Sequence, residues 1–357
     1  METSNSLLQK LGIKFPIVQG PMLGVTTPDM VAAIANAGGL GSLPVGGLSP
    51  EATVSLIRQT KSKTNIPFAV NLFAHELTEA DHDSFEKMQD FIEGVHAQHQ
   101  IPFNRKHITD LKFYNHYDQI DVLLSEQIPV VSFTFGMLHA EAIKQLKENG
   151  SVLIGTATSV KEARLLEDAG IDMIVAQGFE AGGHRGTFIK DEKLPQIGLM
   201  SLLLRIVDNV SVPVIAAGGI VDQRTIRAAF ALGASGVQIG SLFIACDESL
   251  ASEGYKKAVL SSQDTSTTLT QAFTGRWARG IKNEFITWVE ESGLTIPYYI
   301  YQNSLTASMR VYAQQNSLTD LVSMWAGQSA SYAKRGSASD IFKELVEKVE
   351  SSGQPIF

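Results

Sequence analysis

The chain has 357 residues, 44% hydrophobic and 18% charged, with a formal net charge of −8. That balance excludes a general nucleic-acid or membrane-surface binder, which needs a basic face, and points to a soluble domain that buries a sizeable core and works on a small molecule. Cys246 is the one cysteine, which excludes an intrachain disulfide and a cysteine set for zinc or an iron–sulfur cluster.

In chain order, Met1 to Lys10 lacks the apolar segment of a secretion signal, and no later run reaches the length of a membrane span, so a cytoplasmic location is expected. Strand signals then recur. The first is Pro16-Ile17-Val18, followed by Leu40-Gly41-Ser42-Leu43, Pro67-Phe68-Ala69-Val70, Pro129-Val130-Val131, Val152-Leu153-Ile154-Gly155, Met173-Ile174-Val175-Ala176, Pro213-Val214-Ile215 and Gly236-Val237-Gln238-Ile239. Four of these open on proline, which a strand tolerates at its first position and hardly elsewhere. Between them lie helical patterns that start at capping residues and stop at glycine: Thr27-Pro28 to Gly38, Ser159 to Gly170, and Asp222 to Gly233. Continuous apolar strands alternating with helices predict an α/β fold, a parallel (β/α)8 TIM barrel, with a doubly wound open sheet as the alternative.

Two regions break the alternation. From Ala74 to about Asp121 the chain is polar and rich in histidine, which predicts a helical insertion after the third strand. His96 and His99 stand at helical spacing suited to a metal pair, yet no third ligand is evident, and a solvated helix is the preferred reading with no metal expected. Residues 247–357 lean helical and are expected to complete the barrel of residues 1–246 and cap the substrate site.

Ligand residues of such a barrel belong at the carboxyl ends of its strands. There the sequence places Gln19-Gly20-Pro21-Met22, Asn71, Thr134-Phe135-Gly136, Gln177, Gly218-Gly219, and Gln238 with Gly240-Ser241. Uncharged amides and glycines suit a polar planar ligand such as a flavin ring. The stretch Glu180-Ala181-Gly182-Gly183-His184-Arg185-Gly186 sets a histidine among glycines, a means of bringing a proton carrier to a ligand; the plainer alternative is a tight turn. Gly218-Gly219, running into a helix near Asp222, and Gly240-Ser241 follow the last two strands, where this barrel holds a phosphate; each pair alone also suits a simple turn. The dinucleotide fingerprint Gly-x-Gly-x-x-Gly is absent after the first strand, which favours a mononucleotide flavin.

Together these motifs resemble the nitronate monooxygenase family, formerly the 2-nitropropane dioxygenases. The likeness runs through Val70-Asn71-Leu72-Phe73, Ser132 to Gly136, Ile154 to Thr158, Ala176 to Gly186, Ala216 to Ile220 and Gln238 to Ser241, and on into Phe273-Thr274-Gly275-Arg276, Gln302-Asn303 and Trp325-Ala326-Gly327-Gln328. The resemblance implies an FMN-dependent enzyme that oxidises alkyl nitronates, such as propionate 3-nitronate, with dioxygen to a carbonyl compound and nitrite, consuming no nicotinamide. It implies FMN contacts from Met22, Asn71, Gln177, Gly182, Gly218, Gly219, Gln238, Ile239, Gly240 and Ser241, and a catalytic role for His184. Tyr299 is either a wall of the substrate pocket or an aromatic core contact. Arg185 either attracts the anion or fixes the loop, and Cys246 reads as a buried small hydrophobe. Thr134, where some members have histidine, and Ile300, where a proline often follows the tyrosine, are departures that bear on the shape of the pocket. The alternatives are a flavin reductase that consumes NAD(P)H on the same barrel, acting on an enoyl-acyl carrier protein or a quinone, and more remotely a non-catalytic flavin-binding module.

Overall fold

The computed structural model describes residues 2–189 and 193–352. Its strands are β1 (Ile17–Gln19), β2 (Ser42–Pro44), β3 (Ala69–Phe73), β4 (Val130–Thr134), β5 (Val152–Ala157), β6 (Met173–Gln177), β7 (Gly183–His184), β8 (Val214–Ala217), β9 (Gly236–Ile239), β10 (Thr267–Thr270) and β11 (Ala278–Ile281). Eight of them form one sheet in the order β1-β9-β8-β6-β5-β4-β3-β2. The two ends of that order meet through a parallel bridge between Val18 and Leu40. Gln19 N–H donates to Leu40 O at 2.8 Å and Leu40 N–H to Ile17 O at 3.0 Å. The sheet is therefore a barrel, as the alternation predicts, and the open sheet is excluded.

The second strand lies slightly later than the sequence suggests. Leu40 is held only by the bridge, and regular pairing starts at Ser42. At Gly41 the chain passes so close to the helix Pro28–Asn36 that a Cβ would stand 2.3 Å from Val31 O. That helix is capped by Thr27, whose side chain accepts from Met30 N–H, with proline in its first turn.

Side-chain alternation along the strands is what builds the site. On β3, Ala69 points into the foot of the barrel while Val70 and Leu72 meet the helix layer, leaving Asn71 and Phe73 to line a cavity above. The same parity sets Val130 below Ser132 and Thr134 on β4, and Met173 below Val175 and Gln177 on β6. Strand pairing aligns Asn71 with Ser132, and their side chains bond at 2.9 Å. The foot is stoppered by the N-terminal helix Glu2–Leu11, whose Leu7 and Leu11 are buried among the lower barrel residues.

The segment after β3 holds the helix His82–Gln98 and then the helix His116–Ser125. The second packs on the helices Pro50–Lys61 and Ala140–Glu148 as the ordinary crossover to β4, so the insertion proper ends before His116 and not near Asp121. The helix His82–Gln98 is less solvated than expected. It buries Phe85, Met88, Ile92 and His96 and packs on the helix Tyr299–Gln315. His96 Nδ1 lies 3.0 Å from Pro102 O, and the His99 ring lies 5.7 Å from that of Trp288. At the other end of the chain, the helix Ala338–Ser351 packs beside the helices Pro28–Asn36 and Gln223–Ala231. No helix among the described residues is long and apolar enough to cross a membrane.

Candidate active site

A cavity of about 520 Å³ opens at the carboxyl ends of the strands. Met22, Asn71, Gln177, Gly182, His184, Gly218, Gly219, Gln238, Gly240, Ser241 and Tyr299 all line it. Ile239 does not. It follows inward-facing Gln238, so its side chain turns into the helix layer, and its carbonyl accepts from Gly20 N–H at 2.8 Å. Gln19, read from sequence as part of the ligand end, is also directed elsewhere: fully buried, it bonds Thr26 Oγ1 at 3.0 Å and Ser42 N–H at 3.1 Å, locking the β1–β2 joint.

His184 stands on β7, which pairs antiparallel with β11, setting His184 opposite Ala278. The loop expected from its glycines is therefore the outer strand of a small sheet, β10-β11-β7. Gly183, at φ +73°, makes the turn into it. Gln177 clamps the segment from the barrel: its Nε2 donates to His184 O at 3.0 Å and its Oε1 accepts from Gly186 N–H at 2.8 Å. That leaves one Gln177 N–H for a ligand. Arg185 is buried and donates to Gly178 O at 2.6 Å and Gln177 O at 3.1 Å, so it fixes the loop and does not face the cavity.

The His184 ring is enclosed by aromatic rings, with centroids of Phe135 at 5.3 Å, Trp325 at 5.4 Å and Tyr299 at 5.8 Å. Its Nε2 lies 2.9 Å from Thr274 Oγ1. Burial, assisted by the guanidinium charges of Arg276 and Arg310, lowers its pKa to about 3. The imidazole is thus neutral throughout the physiological range, in contrast to the unperturbed value near 6.5 that sequence alone suggests.

Opposite lies a glycine-lined end. Gly218 and Gly219 have φ of +117° and +69°, conformations that L side chains rarely adopt. Ser241 Oγ accepts from Gly327 N–H at 2.9 Å, and Ser329 Oγ donates to Gly219 O at 3.4 Å, so residues 327–329 form a third wall beside the two predicted loops. Gly182 permits this approach, since a Cβ there would stand 2.4 Å from Gly327 N. Glu180 lines the same end, but both its oxygens accept from Leu199 N–H at 2.9 Å, capping the helix Leu199–Val207.

Three residues acquire roles here that the sequence reading did not give them. Phe135 is held at φ +78°, a sparsely populated conformation for a bulky residue, at the end of β4. Arg276 stacks its guanidinium 4.2 Å from that ring and donates to Thr187 O. Arg310, on the helix Tyr299–Gln315, lines the cavity and is held by Asn303 Oδ1 at 2.7 Å and Thr306 Oγ1 at 3.1 Å. Neither arginine forms an ion pair with a carboxylate among the described residues. Burial lowers the pKa of Arg310 to about 10, which leaves it charged at neutral pH. A half-buried cation with no carboxylate beside it gives the adjoining cavity a positive wall. Arg276 had a sequence signal, the Thr274-Gly275-Arg276 motif; Arg310 had none.

A (β/α)8 barrel with a cavity at its carboxyl face, a neutral histidine on one wall and a glycine cradle on the other defines an enzyme of the barrel class. The family model described as nitronate monooxygenase matches residues 4–348, and the chain belongs to that family, whose members are oxidoreductases. A probable nitronate monooxygenase of Staphylococcus aureus (strain JH9) is 40% identical over 354 residues, covering 98% of each chain. The crystal structure of a nitroalkane oxidase from Streptomyces ansochromogenes aligns with a TM-score of 0.88 at 33% identity, over 97% of this chain and 98% of that one. FabK from Thermotoga maritima aligns with a TM-score of 0.73 at 28% identity, over 97% and 96% of the two chains.

Proposed function

We propose that the protein oxidises alkyl nitronates with dioxygen to a carbonyl compound and nitrite, using bound FMN. The observation that carries this reading is the pairing of a neutral histidine with the Arg310 guanidinium, which no carboxylate partners among the described residues, on the walls of one cavity, an environment suited to an anionic substrate. FMN fits the chain's own groups. Asn71, Gln238 and the remaining Gln177 N–H offer neutral hydrogen bonds to a planar ring, while Gly218, Gly219, Gly240 and Ser241 expose backbone to a phosphate. When bound, the flavin accepts electrons from the substrate. The protein's part is to hold the nitronate: Arg310 attracts its charge, Phe135, Tyr299 and Trp325 exclude water, and His184 takes an α-proton where one is present.

The direct experiment is aerobic incubation of the FMN-loaded protein with propionate 3-nitronate. Oxygen uptake with stoichiometric nitrite supports the reading, and the absence of both rejects it. Gly219→Val should strip the protein of FMN, because the side chain would force a positive-φ backbone and intrude on the phosphate end; flavin absorbance after desalting measures this, and full occupancy would remove Gly219 from the cofactor site. Arg310→Met should reduce kcat/KM for the nitronate by about 10- to 100-fold through KM, the loss of one charged contact. An unchanged KM would place Arg310 outside substrate binding.

A further inference from the structure

We infer that Thr274 is a positioning residue for His184: its hydroxyl accepts the Nε2–H of the imidazole and thereby leaves Nδ1 as the atom that presents a lone pair to the cavity. This rests on the proposed role of His184 as proton acceptor. Thr274 is buried, and its Oγ1 lies 2.9 Å from His184 Nε2. A threonine hydroxyl has one proton and two lone pairs; Arg276 O, at 3.3 Å, offers the proton a second acceptor, and Arg276 N–H, at 3.4 Å, points at the same oxygen. With the proton turned to that carbonyl, the contact to the ring becomes one in which oxygen accepts and Nε2 donates. The reverse assignment would take the donor from the Arg276 carbonyl. It would also put the hydrogen on Nδ1 and leave no lone pair there to take a proton.

Both ends of the contact belong to one rigid unit. His184 is paired to β11 through Ala278, and Thr274 lies in the turn leading into that strand. The turn is closed by Gly275 N–H donating to Gln271 O at 2.8 Å and Gln271 Nε2 donating to Gly275 O at 3.1 Å. At Gly275, with φ +77°, a Cβ would stand 2.3 Å from Pro297 O, so the turn is wedged against the segment that starts the helix Tyr299–Gln315. Burial and the two guanidinium charges keep the ring neutral, and a neutral ring must choose a tautomer. Thr274 makes the choice, and Nδ1 is the consequence.

The test uses the FMN-loaded enzyme with ¹⁵N-labelled histidine, His184 being assigned by its loss in His184→Asn. Wild type should show the Nε2–H tautomer. Thr274→Ser should keep it, whereas Thr274→Val should give a mixture and lower kcat by about 3- to 30-fold with KM nearly unchanged, the loss of one neutral hydrogen bond. An Nδ1–H tautomer in wild type overturns the proposal without any variant. So does Thr274→Val with unaltered tautomer and kcat while His184→Asn is impaired. Full activity of His184→Asn would instead refute the role of the histidine itself, and the tautomer signature would still decide whether Thr274 sets the ring.

Discussion

Replacing His184 by asparagine should lower turnover of a neutral nitroalkane by roughly 10²–10⁴, the usual contribution of positioned proton transfer. Asparagine keeps a polar group at the cavity wall but cannot take the α-proton. With a preformed nitronate the loss should be smaller, because only positioning is missing. The structure adds a second expectation. A ring whose pKa has fallen to about 3 is always in its basic form near neutrality, yet it is a weaker base than free imidazole. Turnover of the nitronate should therefore show no step near pH 6.5, and the wild type should favour the anion over its neutral parent. Steady-state kinetics on both substrates at matched FMN content checks this; equal activity of variant and wild type on both would remove His184 from the chemistry.

Acidification from pH 7 to pH 5 should destabilise the fold by roughly 4 kcal/mol through two buried histidines alone. His75 and His116 are both buried, and burial lowers each pKa to about 4, with the Arg276 charge a further cause at His75. In the unfolded chain each titrates near 6.5, so below that pH the unfolded state binds protons that the folded state does not. The stabilisation is full above 6.5 and is lost as pH falls toward 4, at about 2 kcal/mol per group by pH 5. His96 and His184, lowered chiefly by burial, act in the same direction. Urea midpoints at pH 7 and pH 5 measure the effect, and His116→Phe should recover part of it. A midpoint that does not move between the two would mean that these rings are solvated or paired.

The barrel was legible because its strands are buried on both faces, and so read as continuous apolar runs opened by Pro16, Pro67, Pro129 and Pro213. The glycine-rich surroundings of His184 drew attention to it, and the structure places it on the cavity wall. The antiparallel partner of Gly183–His184 was hidden: two residues carry no periodicity, and the matching strand β11 lies far along the chain. Arg310 was invisible because a cation on a mixed helix looks like any solvated side chain until Asn303 and Thr306 are seen to hold it inside. Ile239 is different. Strand parity alone, with Gln238 turned inward, would have assigned its side chain to the helix layer. The depressed pKa of His184 required the enclosing rings and the two arginines, groups contributed by four separate parts of the sequence.

The central claim, that the nitronate itself supplies the electrons, is tested most directly by anaerobic mixing of the FMN-loaded protein with propionate 3-nitronate and, separately, with NADH and NADPH, while the flavin absorbance is followed. The account predicts prompt bleaching by the nitronate and slow or no change with either nicotinamide. Fast stoichiometric reduction by NADH or NADPH, with no response to the nitronate, would contradict it and make the protein a nicotinamide-consuming reductase on the same barrel.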